Sequence, residues 1–254
     1  MSKVALVIPA RMGSTRLARK ALADFEGQPM VVRVAEQAQK VKGVTRVVVA
    51  TDSDEILQAV KTAGFEARMT PESLMSGTER VAYVAKHLSE EIVINLQGDE
   101  PVMNPLSVEA ALEPVLKGRL MGSAYTFFRS WEEVKQPSNV KVLVDKEGDA
   151  VMFSRYPIPF RQNGVPDSDV MKDPTFGKHL GIYVYERKFL LTYGSLEVPL
   201  MERCESLEQL RALHNGVKIG MGRTNFASQA VDTAEDLEKA RAAYNAQKID
   251  GTRK

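Results

Sequence analysis

The sequence predicts an α/β fold with a mostly parallel central sheet, helices on both of its faces, and a smaller strand-rich subregion. Three observations carry this. In the first half, short β-branched runs alternate with amphipathic helical stretches, the pattern of parallel βαβ units. Those runs are apolar throughout rather than alternating, so both faces of each strand need cover. In the second half, strand-like segments follow one another with little helix between them.

The elements follow in order. "VALVI" (4–8) is the first buried strand. "PMVVRVAEQAQKV" (29–41) is a helix whose Pro29 suits its first position, where no backbone N–H is needed. "RVVVA" leads into the helix "TDSDEILQAVKTAG", in which Asp52 and Glu55 have capping-box spacing and Gly64 closes the C-terminus. "FEARM" is a short strand. "SGTERVAYVAKHL" is a helix with Val81, Val84, Ala85 and Leu88 on one face. "EIVINL" is again a buried strand, and Asn104-Pro105 opens the next helix.

Further on, "GSAYTFF", "NVKVLVD", "AVMFS" and "GIYVYE" read as strands, with "DKEG" as a hairpin turn. Residues 155–178 carry Pro and Gly with little periodicity and read as a long functional loop. "ESLEQLRALHNG" reads as one helix ending near Gly216. "TAEDLEKARAAYNAQK" is the terminal helix, with Thr233 and Asp236 at capping-box spacing.

Composition excludes several classes of function. The 254 residues carry a net charge of +1, which argues against a general nucleic-acid surface. The single cysteine, Cys204, cannot form an intrachain disulfide and fits a reducing compartment. No segment approaches the length of a membrane span, and the first apolar run lacks the form of a signal peptide. The expectation is a soluble, cytoplasmic protein with no nucleic-acid or membrane partner.

Against that near-neutral background, Arg11, Arg16, Arg19 and Lys20 crowd the loop after the first strand. In a parallel sheet ligands bind beyond the carboxyl ends of the strands, where this loop lies. Arg11 and Lys20 offer charge-assisted hydrogen bonds to phosphate oxygens, and Gly13 lets backbone approach a ligand. The loop reads either as a triphosphate cradle or as a solvated basic turn. It has neither the Walker A spacing nor a dinucleotide fingerprint, Gly13 being its one glycine, which disfavours an NAD-dependent dehydrogenase.

"VINLQGDEP" (93–101) brings a buried strand out into Gln97, Gly98 and Asp99. A carboxylate facing a polyphosphate needs a hard cation between them, and Mg²⁺ takes one or two carboxylates together with substrate phosphates. Asp99 is then a metal ligand, or else a helix cap or turn residue. Asp232 raises the same choice, between N-cap of the last helix and second ligand.

Taken in order, "VIPARMGSTRLARK", "VVVATD", "SGTERV", "VINLQGDEP", "FSRYPIPF", "KHLGIYVY", "ESLEQLRAL" and "VDTAEDLEKAR" resemble the motifs of the 3-deoxy-manno-octulosonate cytidylyltransferase (CMP-Kdo synthetase) family, from residue 3 to about 243. The resemblance implies a Rossmann-like nucleotide-diphospho-sugar transferase fold in a single domain. Within it, 1–120 would form the CTP-binding βαβ half, 121–215 a sugar-binding and dimerisation subregion, and 216–254 the return to the core. It implies a homodimer, and transfer of CMP from CTP to the anomeric hydroxyl of Kdo, with loss of pyrophosphate, for lipopolysaccharide biosynthesis.

By the same resemblance Arg11, Ser14 and Lys20 bind the triphosphate, and Thr78, Arg80 and Gln97 line the cytidine or the sugar. Asp99 and Asp232 hold Mg²⁺. Gln97, Arg155, His179, Tyr183, Glu205 and Gln209 form the sugar pocket, and Lys20, Asp99 and Arg11 are the catalytic group. Read without the family, His179 is equally a packed histidine. Glu205 and Gln209, four apart on one predicted helix face, are equally a solvated surface.

One departure stands out. Where the family reads Arg-Leu-Pro-Gly-Lys-Pro-Leu, this chain has Arg16-Leu17-Ala18-Arg19-Lys20-Ala21-Leu22. Losing the glycine and both prolines predicts a differently bent loop. It leaves open a modified ulosonic acid, such as the 8-amino analogue of Kdo, as substrate, or a non-catalytic sugar-nucleotide sensor.

Overall fold

The structure, a computed structural model, describes residues 2–13, 17–160, 162, 166–227 and 230–252, with side chains as far as residue 246. The chain divides into two compact units, Met1–Pro105 with Ser228–Lys254, and Leu106–Ala227.

In the first unit, strand β1 (Val4–Ala10) is followed by a 3-10 turn (Lys20–Leu22), a two-stranded ribbon of β2 (Asp24–Phe25) and β3 (Gln28–Pro29), and helix α1 (Met30–Ala38). Then come β4 (Val44–Thr51), α2 (Asp54–Thr62), β5 (Glu66–Met69), α3 (Gly77–Ala85) and β6 (Ile92–Leu96). The strands run in the order β6-β1-β4-β5, and every pairing is parallel. β6 is buried at every residue and β1 at all but Pro9, as their unbroken apolar runs require. Because β1 and β6 are parallel, the loops after Ala10 and Leu96 leave from the same edge of the sheet.

Two caps differ from expectation. The N-cap of α2 is Ser53, whose hydroxyl accepts from Ile56 N at 3.4 Å, not Asp52. The turn starts one residue later and frees the Asp52 carboxylate for an ion pair described below. Pro29 stands just before α1, closing the ribbon, rather than inside its first turn. The capping box of α3 is complete: Ser76 Oγ accepts from Glu79 N, and Glu79 accepts from Ser76 N.

The second unit contains most of α4 (Pro105–Leu116), then β7 (Met121–Thr126), α5 (Trp131–Lys135), β8 (Lys141–Val144), β9 (Ala150–Ser154), α6 (Asp167–Lys172) and β10 (Phe176–Glu186). These are followed by α7 (Arg187–Thr192), α8 (Leu200–Glu205), α9 (Gln209–His214) and β11 (Ile219–Arg223). β7 pairs parallel with β11 and antiparallel with β10; β8 pairs antiparallel with β10 and β9. The "DKEG" turn joins β8 to β9, and Gly148 there has φ 83°.

Two expectations are corrected. The stretch 155–178 is no open loop throughout, since α6 and the start of β10 lie inside it. "ESLEQLRALHNG" is not one helix. α8 ends at Glu205, Ser206 turns left-handed at φ 52°, and α9 begins at Gln209. Glu205 and Gln209 therefore belong to different helices.

The terminal helix α10 (Ala234–Thr252) returns to the first unit. Its Thr233 hydroxyl accepts from Asp236 N at 3.2 Å while the Asp236 carboxylate accepts from Thr233 N at 3.0 Å, the expected box.

Candidate active site

An apolar cluster brings three distant segments of the first unit together. Phe25, Met30, Val102, Val231, Leu237, Ala240 and Tyr244 pack as one buried group, with Leu17 and Ala23 against it. Leu17 and Ala23 flank Lys20, Val102 follows Asp99 by one turn of chain, and Val231 precedes Asp232. A backbone hydrogen bond from Val231 N to Asp99 O (2.9 Å) ties the last two segments directly.

The polar outcome is a three-residue ion cluster. Lys20 Nζ donates to Asp99 Oδ2 at 2.6 Å and to Asp232 Oδ1 at 3.0 Å, all three side chains being partly buried. Partial burial pushes the Lys20 ammonium downward, but the two carboxylates outweigh it and raise its pKa above 10.5. Since Thr233 caps α10, Asp232 is not spent on the helix N-terminus. The cap reading of Asp232 is thereby set aside, and its carboxylate pairs with Lys20.

Gly98 explains how Asp99 reaches this place. A Cβ at residue 98 would stand 2.9 Å from the Pro9 carbonyl oxygen, so only glycine lets the chain leaving β6 lie against β1. Gln97, half-buried, and exposed Arg11 leave the same edge of the sheet. Ser14 and Arg16 lie outside the described residues. Arg19, which stands where the family has glycine, takes the left-handed conformation at φ 54° and ψ 33°. Its guanidinium pairs with Glu55 at the start of α2.

Thr78 is buried in the first turn of α3. Arg80, also buried, donates to Asp52 Oδ2 at 2.7 Å and to the hydroxyl of Thr70, itself bonded to Thr51 O. Asp52 was missed as a site-bordering residue. Only its place just past a predicted strand end pointed there.

Of the residues that the resemblance assigns to the sugar, Arg155, His179, Tyr183, Glu205 and Gln209 lie in the second unit and Gln97 in the first. β10 carries an irregularity between Leu180 and Tyr183, and His179 and Tyr183 flank it with ring centroids 5.5 Å apart. The Ser123 hydroxyl donates to Ile182 O at 2.7 Å, so its oxygen accepts from His179 Nε2 at 2.8 Å, which places the imidazole proton there. Burial drives the His179 pKa down to about 3, keeping the ring neutral. Tyr183 Oη donates to Gln209 Oε1 at 3.0 Å; Gln209 is buried, and its Nε2 has no hydrogen-bond partner among the described residues.

Glu205 is committed. One oxygen accepts from Ser154 Oγ (2.7 Å), the other from Arg155 N (2.8 Å). The Arg155 guanidinium donates to the carbonyls of Glu205 (2.6 Å) and Pro137 (3.1 Å), stitching the end of α8 to the loop after α5. Beneath it lies Lys141, fully buried, donating to the carbonyls of Gln136 and Arg155. Its burial lowers its pKa. A lysine in "NVKVLVD" gave no signal of this role.

A separate acidic group, Asp145, Glu147 and Asp149, lies at the β8–β9 turn. Arg119 holds Asp149 with two bonds (2.7 and 3.0 Å), and Lys218 reaches both Glu147 and Asp149 at 3.2 Å. Two of its three carboxylates, Glu147 and Asp149, are thus paired with cations.

A parallel α/β sheet with cations beyond the end of its first strand and Asp99 beyond the end of another forms a nucleotide-type binding edge, and the comparisons make the chain a nucleotidyltransferase. Residues 5–219 match the family model described as cytidylyltransferase. The chain is similar to the 3-deoxy-manno-octulosonate cytidylyltransferases of Solibacter usitatus, at 42% identity over 98% of this chain and 97% of that one, and of Chloroherpeton thalassium, at 41% over 94% and 97%. A solved structure described as CMP:2-keto-3-deoxy-manno-octonic acid synthetase complexed with CTP matches with a TM-score of 0.89 at 40% identity, over 97% of this chain and all of that one. The chain belongs to the 3-deoxy-manno-octulosonate cytidylyltransferase, or CMP-Kdo synthetase, family.

Proposed function

We propose that this chain transfers CMP from CTP to the anomeric hydroxyl of Kdo, releasing pyrophosphate, through the Lys20–Asp99–Asp232 cluster. The observation that carries the reading is the convergence of these two carboxylates on one cation, from segments 79 and 212 residues away from Lys20.

The donor set fits a divalent cation, which we assign as Mg²⁺: two carboxylate oxygens, each already within hydrogen-bond distance of a positive charge, are the ligands a hard cation takes. When bound there, the ion would polarise the phosphoryl group under attack and neutralise charge on the leaving pyrophosphate. The chain's own residues do the rest. Lys20 and Arg11 bind phosphate oxygens, with Ser14 assigned beside them. Thr78, Arg80 and Gln97 are assigned to the cytidine side, Arg80 acting through the segment that Asp52 and Thr70 fix.

In the second unit the neutral His179, with its proton on Nε2, keeps Nδ1 as an acceptor for a sugar hydroxyl. The unsatisfied Gln209 Nε2 supports a donor to the sugar acid, and Tyr183 orients that amide. Arg155 is assigned to the sugar carboxylate. Glu205 acts by holding the Arg155 backbone. A homodimer is part of the proposal; the strong exposure of Tyr156 (77%) and Phe160 (89%) supports it.

The test is pyrophosphate release from CTP with Kdo and, in parallel, its 8-amino analogue. The expected result is Mg²⁺-dependent release with Kdo. CTP binding without release on either acid would overturn the reading.

A further inference from the structure

We propose that Lys20 and the divalent cation are mutually exclusive partners of the Asp99–Asp232 pair, so that cation and nucleotide bind this chain with positive coupling. The inference rests on the metal assignment above and goes beyond it, because it makes Lys20 a competitor of the metal until phosphate draws it away.

The geometry carries the argument. Lys20 Nζ bonds Asp99 Oδ2 and Asp232 Oδ1, at 2.6 and 3.0 Å, so the two oxygens are no further apart than the sum of those distances. Two carboxylates that close repel each other, and a cation between them relieves the repulsion. A Mg²⁺ held by both carboxylates would take the place of the ammonium between them. Two cations cannot share that position, and one must leave.

Lys20 can leave cheaply. Its turn is pinned by Leu17 and Ala23 against the apolar cluster, so the backbone stays while a flexible four-carbon stem swings. A nucleoside triphosphate supplies the acceptors that compensate the ammonium for its two lost carboxylates. Each ligand thereby prepares the site for the other, and by linkage the coupling is reciprocal.

The experiment measures Mn²⁺ binding by electron paramagnetic resonance on the whole chain, first without nucleotide. Lys20→Met is expected to bind Mn²⁺ at least tenfold more tightly than the unsubstituted protein. Adding Asp99→Asn to Lys20→Met is expected to erase that gain. A non-hydrolysable CTP analogue, with its own Mn²⁺ complexation subtracted, is expected to tighten Mn²⁺ binding to the unsubstituted protein by a larger factor than to Lys20→Met. Lys20→Gln, with circular dichroism as the folding control, serves should the Met variant not fold.

Equal Mn²⁺ affinity with and without the Lys20 side chain overturns the coupling. If Asp99→Asn still weakens Mn²⁺ binding in the analogue-loaded protein, the metal assignment survives that failure. If Asp99→Asn changes Mn²⁺ binding in neither state, the assignment falls and the coupling with it.

Discussion

At the scale of the residue, the central fact is how many groups have one partner set and one consequence. Asp99 leaves β6 beside a glycine that the Pro9 carbonyl makes obligatory. Its carboxylate bonds Lys20 and its carbonyl accepts from Val231 N. Asp99→Asn keeps the shape and removes the charge, so turnover should be lost while the unfolding midpoint moves little; pyrophosphate release and a thermal melt check both.

Arg19 is a different case. A non-glycine residue at φ 54° carries about 1 kcal/mol of strain, and its exposed pair with Glu55 returns about 0–1 kcal/mol. Arg19→Gly relieves the strain, loses the pair and gains unfolded-chain entropy. Its stability should stay within about 1 kcal/mol of the parent in urea unfolding. The position was legible in the sequence as a departure; its pairing with Glu55 was not, because local sequence does not show a contact with a residue 36 positions away.

At the scale of the element, the parallel strands and longer helices of the first half were legible from apolar runs and period, while β11 and the short helices α5, α6 and α7 were not. β1, β5, β6, α4 and the DKEG hairpin stand where the patterns put them. The cap at Thr233 was legible from its spacing to Asp236, while the box at Ser76 went unread. At 51–55 three candidate caps crowd together, and the Arg80 partnership took Asp52 out of contention. The break between α8 and α9 was hidden because it turns on a left-handed serine, a conformation serine rarely takes.

The irregular strand β10 carries a pH consequence. His179 is held neutral by burial, with its pKa lowered from 6.5 to about 3, so protonation favours the unfolded chain. Stability from this group is complete above pH 6.5 and falls as pH drops below it, by up to about 1.4 kcal/mol per pH unit, until about pH 3. Urea unfolding between pH 4.5 and 7 should show this slope, and His179→Gln should flatten it. A slope unchanged in His179→Gln would assign the acid sensitivity to other groups.

At the scale of the whole molecule, folding carries Lys20, Asp99 and Asp232 to one place through an apolar cluster that draws on all three segments. Val231→Ala should therefore do two things at once. It should cost about 2–3 kcal/mol by cavity formation, and it should lower kcat by loosening the pair of acids, measured by melting and by steady-state pyrophosphate release. Each site segment was legible as a motif, and their meeting was legible only through the family resemblance, since no local pattern joins residue 20 to residue 232. The second unit carries the exposed Phe160, and in the proposed homodimer Phe160→Glu should shift sedimentation velocity towards the monomer.

The most direct test of the account is anomalous diffraction from crystals holding Mn²⁺ and a non-hydrolysable CTP analogue. The account predicts one peak bound by both Asp99 and Asp232, with Lys20 turned onto the phosphates. Metal at the Asp145–Glu147–Asp149 turn alone, with Lys20 still between Asp99 and Asp232, would contradict it.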